Sequence, residues 1–116
     1  MSETQAAMQV RKVADSVSVI DITGELTGAS EEALAEAYAR TGAEGGKVVI
    51  LNFTGLDYMN SSGIGLLVTM LIRAQRHGQK LMAYGLSDHY RQIFGLTRLD
   101  EAIALYDDEA AALAGV

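Results

Sequence analysis

Val48, Val49, Ile50, Leu51, Asn52 and Phe53 form the stretch that decides the fold of this chain. The run is short, rich in β-branched residues and apolar everywhere except Asn52. A strand with one solvated face alternates apolar and polar residues. An unbroken apolar run of this length instead predicts a strand covered on both faces, as in a parallel sheet. Parallel neighbours need crossover connections, usually helices, so helical patterns are expected on either side. Upstream, Ser30 reads as an N-cap followed by Glu31 and Glu32, where a helix dipole favours acids. Ala33, Leu34, Ala37 and Tyr38 then recur at helical spacing, and the pattern ends near Gly42, before Gly45 and Gly46. Downstream, residues 54–60 read as a loop, and residues 61–76 as a second helix closed by Gly78.

Working outward, residues 17–22 (VSVIDI) predict a strand, and residues 8–13 a weaker one. The polar Ala14, Asp15 and Ser16 between them suggest a hairpin turn. Residues 23–29, with Gly24 and Gly28, read as a loop. Residues 81–84 predict a third buried strand. Ser87 caps a short helix carrying Tyr90, Ile93 and Phe94, residues 102–106 form a short last strand, and Asp107, Asp108 and Glu109 open an Ala-rich helix. The order β-β-α-β-α-β-α-β-α predicts an α/β fold with a mixed sheet of four or five strands, an antiparallel leading edge, and about four helices covering one or both faces. Pro is absent and no linker or repeat interrupts the pattern, so residues 1–116 are expected to form one domain.

With 49% hydrophobic and 21% charged residues, the chain has material for one core. The absence of cysteine excludes a disulfide framework, a cysteine nucleophile and a cysteine-based zinc site. Nine Lys and Arg residues are scattered against 15 Asp and Glu, for a net charge of −6. That balance argues against nucleic-acid or membrane-surface partners, which call for a basic patch. Residues 1–10 lack the basic start and apolar run of a leader, and the longest nearly apolar stretch, residues 63–72, is far shorter than the ~20 residues of a spanning helix. A cytoplasmic location is expected.

Enzyme signatures are weak. His77 and His89 lie twelve residues apart, at a helix end and in a helix first turn, and both are expected in surface roles. There is no GxxxxGK[ST] loop and no GxSxG elbow; Gly63-Ile64-Gly65 gives two-thirds of a GxGxxG fingerprint, with Val68 in the third place. Asp21, Glu25 and Asp57 are the acids that could meet at strand ends for acid-base work. No catalytic residue, metal site or cofactor is expected, and the chain reads as a non-enzyme.

The segment that stands out is Tyr58-Met59-Asn60-Ser61-Ser62-Gly63-Ile64-Gly65. Asn60 can cap the helix, leaving Ser61 and Ser62 in its first turn, where free N–H groups and the dipole favour an anion. Gly63 and Gly65 each cost about 1 kcal/mol of helix propensity relative to Ala. Close approach of another backbone, or of another protein, would justify that cost. Two readings stand at this point: a cap with glycines that ease packing, or a phosphorylation switch. On the helical wheel Ile64, Leu67, Val68, Leu71 and Ile72 share one face and are expected in the core, opposite Thr69, Arg73 and Arg76. Leu66 and Met70 lie at the margin. They either widen the buried face or form a partner-binding strip beside the serines.

These residues resemble the STAS domain family, most closely the bacterial anti-sigma factor antagonists. The resemblance spans nearly the whole chain: Ile20-Asp21-Ile22-Thr23-Gly24-Glu25-Leu26, residues 48–53, Leu56-Asp57-Tyr58-Met59, the hallmark Asn60-Ser61-Ser62-Gly63-Ile64-Gly65, and residues 87–99 with Ile93-Phe94-Gly95-Leu96. It implies an antagonist that binds an anti-sigma factor which is also an ATP-dependent serine kinase, thereby releasing the sigma factor. The kinase phosphorylates the serine that starts the hallmark helix, the complex dissociates, and a protein phosphatase resets it. The resemblance places the phosphoacceptor at Ser61, with Asn60, Ser62 and Gly63 supporting it. Thr27, Tyr58, Met59, Gly65, Leu66 and Met70 are then expected at the partner surface, and exposed apolar margin residues allow a weak homodimer. Where most members carry Asp before the serine, this chain has Asn60, and where they carry Asp after Gly-Glu-Leu it has Thr27. Both changes remove negative charge near Ser61. The alternative is a STAS subunit of a transport or stress-signalling assembly, in which the serines only cap the helix.

Overall fold

The structure is a computed structural model that describes residues 6–43 and 46–116. Gly45, and residues 1–5 of the stretch read for a leader, lie outside the described residues. Strands β1 (Ala7–Ala14) and β2 (Val17–Leu26) form the expected antiparallel hairpin, turning at Asp15 and Ser16. Strands β3 (Val48–Met59), β4 (Lys80–Tyr84) and β5 (Ala104–Tyr106) continue the sheet in parallel, in the order β1-β2-β3-β4-β5. Helices α1 (Glu31–Ala43), α2 (Ser61–Arg76) and α3 (Asp88–Leu96) occupy the three parallel crossovers, and α4 (Glu109–Ala114) ends the chain. The mixed sheet with about four helices is therefore present.

The apolar run that predicted a doubly covered strand is divided between two cores. Val49, Leu51 and Phe53 point into the main core with Ile20, Ile22, Leu81 and Ala83, under Leu34 and Tyr38 of α1, Leu67 of α2 and Phe94 of α3. Ile50 points the other way, with Val17, Val19, Met82 and Tyr84 against Ala112 of α4. Asn52, the one polar residue of the run, donates to Asp21 Oδ1 at 2.7 Å. Asp21, read as one of three acids that could meet at strand ends, is instead paired within the sheet. Arg11 holds it with two hydrogen bonds, Nε at 2.6 Å and Nη2 at 2.8 Å, and the same Nη2 reaches Glu109 of α4 at 2.8 Å. Tyr84 completes the cluster by donating to Glu109 at 2.6 Å.

This cluster clamps α4 to the sheet. The Arg11 guanidinium holds the carboxyls of Asp21 and Glu109 below their usual range, with Asn52 assisting at Asp21 and Tyr84 at Glu109. Burial, reinforced by Glu109, pushes the Tyr84 hydroxyl up to about 12. A carboxylate whose folded pKa is depressed adds stability that is complete above its unfolded value and lost as pH falls through the folded one. Arg11→Met is accordingly expected to cost roughly 1–2 kcal/mol at pH 7, a modest figure because the cluster is partly solvent-screened. The difference from wild type should narrow below about pH 4, as the unfolded and then the folded carboxyls take up protons. Urea unfolding at pH 7 and pH 3 measures both; a gap that stays constant would contradict the assignment.

Two features depart from the sequence reading, and both shape the site. First, β2 and β3 run on through residues expected as loops. The parallel ladder survives two register shifts, from Asp21 opposite Asn52, to Thr23 opposite Gly55, to Leu26 opposite Met59. Gly24 at φ +88° sits within the strand. At Gly55 a Cβ would come 2.5 Å from Thr23 Cγ2. The turn-like residues thus accommodate bulges rather than end the strands. Second, Ser30 is not the N-cap. Thr27 begins a 3-10 turn, Gly28–Ser30, that runs into α1; its hydroxyl accepts the Ala29 N–H at 3.2 Å while its own N–H donates to Ser30 Oγ at 3.1 Å.

Candidate functional site

The extended β2–β3 pair delivers Leu26 and Met59 side by side at its C-terminal end, where sites of parallel sheets form. The Leu26 carbonyl accepts the Asn60 N–H at 3.3 Å. Beyond this tie the chains part, Thr27 into the 3-10 turn and Asn60 into α2. Asn60 is extended (φ −102°, ψ −177°), and its Oδ1 accepts the Gly63 N–H at 2.9 Å. It is the cap the sequence predicts. Ser61 and Ser62 fill the first two helical positions and are both exposed. The first turn of α2 contains no acidic residue.

The two glycines serve different purposes. A Cβ on Gly63 would lie 2.2 Å from the Leu26 carbonyl oxygen and 2.8 Å from its carbon. Only glycine lets α2 start this close to the end of β2. A Cβ on Gly65 would meet nothing within 4 Å, so Gly65 leaves an open helix surface one turn beyond Ser61. Ser62 lies against the 3-10 turn, where a Cβ on Gly28 would come 3.4 Å from Ser62 Cβ. Ser61 sits opposite the buried face of α2, which Gly63, Leu67, Met70 and Ala74 form.

Of the residues expected at a partner surface, Tyr58 (47% exposed) and Gly65 are open, while Thr27 and Leu66 are half-buried. Thr27 adjoins the Leu26–Asn60 tie. Leu66 borders a small groove between α1 and α2 with Leu34, Tyr38 and Arg73. Met59 and Met70 are not at a surface: at 4% and 3% exposure both belong to the main core. Met59 is further held by its N–H, which donates to the Tyr90 hydroxyl of α3 at 2.8 Å. Val68 and Ile72, expected in the core, are instead exposed at 37% and 46%. The largest apolar residues point the helical wheel one way, whereas the buried face is centred by Gly63 and Ala74, small residues that carry little hydrophobic weight. The signal that could have found Val68 and Ile72 is the row Gly63-Leu67-Met70-Ala74, at spacings of four, three and four.

His77 caps the C-terminal end of α2, with Nδ1 3.2 Å from the Tyr38 hydroxyl, and His89 lies in the first turn of α3. Among the described residues no group of three or more His, Asp or Glu side chains could hold a metal, and no helix is long and apolar enough to cross a membrane.

The STAS domain model matches residues 8–112. The anti-sigma-B factor antagonist of Listeria monocytogenes is 27% identical over 90 residues, covering 78% of this chain and 79% of the relative. Among solved structures, an anti-sigma factor antagonist from Mycobacterium paratuberculosis superposes with a TM-score of 0.81 at 21% identity, covering 97% of this chain and 94% of that one. The Bacillus cell fate determinant SpoIIAA in its phosphorylated form gives a TM-score of 0.73 at 23% identity, covering 95% and 100%. With nearly its whole length matched and the sheet, crossovers and helix order in agreement, the chain belongs to the STAS domain family.

Proposed function

We propose that this STAS domain is an anti-sigma factor antagonist, bound by a kinase-type anti-sigma factor in the cytoplasm and switched off when that kinase phosphorylates Ser61. A protein phosphatase resets the switch. The chain acts by docking rather than by catalysis. The observation that carries this reading is the exposed Ser61 at the first position of α2, on a turn that Asn60 caps and Gly63 pulls against β2.

A phosphate adds about −1.5 to −2 charge and three acceptor oxygens. At the start of α2 it meets the positive end of the dipole and first-turn N–H groups. No carboxylate in that turn opposes it, and Asn60 and Thr27 are both neutral. The phosphate therefore leaves the fold intact, and its effect falls on whatever is docked over Ser61. That a phosphorylated form of SpoIIAA shares this fold supports the reading. Ser62 lies beside the 3-10 turn. In this account Asn60, Ser62 and Gly63 shape the acceptor turn, and Thr27, Tyr58, Gly65 and Leu66 surround it.

Incubation with ATP and each purified kinase-type anti-sigma factor from the same genome, followed by peptide mass spectrometry, tests the assignment. One phosphate on Ser61 is expected, and none on a Ser61→Ala variant. Phosphate only outside Ser61 and Ser62, or none with any kinase, would overturn the switch.

A further inference from the structure

The turn that carries Ser61 hangs from the end of a strand that has outrun one of its neighbours. β3 pairs with β4 only as far as Asn52 opposite Tyr84, whereas its pairing with β2 continues to Leu26 opposite Met59. Over residues 53–59, β4 no longer accompanies β3. The last two N–H groups before the serines point to opposite sides. The Asn60 N–H turns to β2 and meets the Leu26 carbonyl at 3.3 Å. The Met59 N–H turns the other way and donates to the Tyr90 hydroxyl of α3 at 2.8 Å, in a buried setting. A side chain thus stands in for the missing strand, and its bond is the shorter of the two that pin the end of β3.

Tyr90 is itself firmly held. Its own N–H donates to the Ser87 cap at 3.4 Å. One turn further along α3, Phe94 stands edge-on to Phe53 of β3, with ring centroids 6.5 Å apart. These contacts fix α3 to the sheet without the hydroxyl, so Tyr90→Phe removes the hydroxyl and leaves the ring in place. The loss strands a buried backbone N–H directly before Asn60. We infer that Tyr90 is a positioning residue for Ser61: through Met59, 31 residues away in the chain, it holds the capped turn in the geometry on which a kinase docks. The inference rests on the phosphorylation reading and adds α3 to the parts that shape the acceptor. A turn that is ordered for only part of the time binds more weakly in proportion. The cost of losing the hydroxyl therefore falls on docking, not on phosphoryl transfer in the bound complex.

The test compares wild type, Tyr90→Phe and Val19→Ala, a truncation in the second core away from the turn. Each is measured well below its thermal midpoint, by amide hydrogen exchange and by phosphorylation with the purified kinase-type anti-sigma factors of the same genome. In Tyr90→Phe the Asn60 amide is expected to exchange about tenfold faster. KM for this chain should rise about threefold with kcat unchanged. Val19→Ala should lower the thermal midpoint and leave KM as it is; if it fails to fold, Ile50→Val replaces it with the same expectation. Wild-type exchange or wild-type KM in Tyr90→Phe, a loss confined to kcat, or an equal rise of KM in the core variant overturns this inference and leaves Ser61 as the acceptor. If no kinase phosphorylates wild type on Ser61, both fall.

Discussion

Replacing Gly63 with alanine is expected to cost about 3 kcal/mol, the upper end for overpacking, and to lower the thermal midpoint by about 12 °C. The new methyl group would stand 2.2 Å from the Leu26 carbonyl oxygen. That neighbour is backbone, not the end of a flexible side chain, so relief requires moving α2 off β2. The movement would stretch the bond from the Asn60 N–H to that same carbonyl and loosen the cap on the Gly63 N–H. Gly65→Ala is the matched control. Nothing lies within 4 Å of its Cβ, so the better helix propensity of alanine should raise stability by about 0.5–1 kcal/mol. Thermal unfolding of the two variants followed by circular dichroism measures the contrast; equal effects would contradict the close approach at Gly63.

The contrast also marks what the sequence revealed and what it hid. The residues 48–53 run predicted a doubly covered parallel strand, and the structure divides it between two cores. The Asn60 cap and the full span of α2 were readable because cap chemistry and helical period act locally. The continuation of β2 and β3 was not, because bulges let Gly24 and Gly55 sit inside strands and carry the signature of loops. The burial of Met70 was hidden for a different reason: the buried face of α2 is centred by the small residues Gly63 and Ala74, which carry little hydrophobic weight, and Met59 is held by Tyr90 from α3, far along the chain. Asp21 looked like a free acid because its partners, Arg11 on β1 and Asn52 on β3, come from other strands.

Phosphorylation of Ser61 should change binding far more than stability. In the free domain the phosphate faces solvent at a helix N-terminus, an arrangement worth a few tenths to about 1 kcal/mol in its favour. In a complex that covers the turn, the same group must lose water against a kinase surface shaped for an uncharged serine. Like-charge contact and imperfect pairing at such a place cost several kcal/mol. A loss of about 3 kcal/mol is a factor on the order of 100 in affinity. Phosphorylation should therefore leave the thermal midpoint unchanged or slightly higher while the complex weakens about 100-fold. A phosphorylated domain that unfolded would instead place the switch in the fold itself.

The most direct test of the docking switch is isothermal titration of the kinase-type anti-sigma factor with the unmodified chain and with the chain stoichiometrically phosphorylated at Ser61. The expected result is tight binding of the first and about 100-fold weaker binding of the second, with both folded. Equal affinity for the two forms, or tighter binding of the phosphorylated one, would contradict the account.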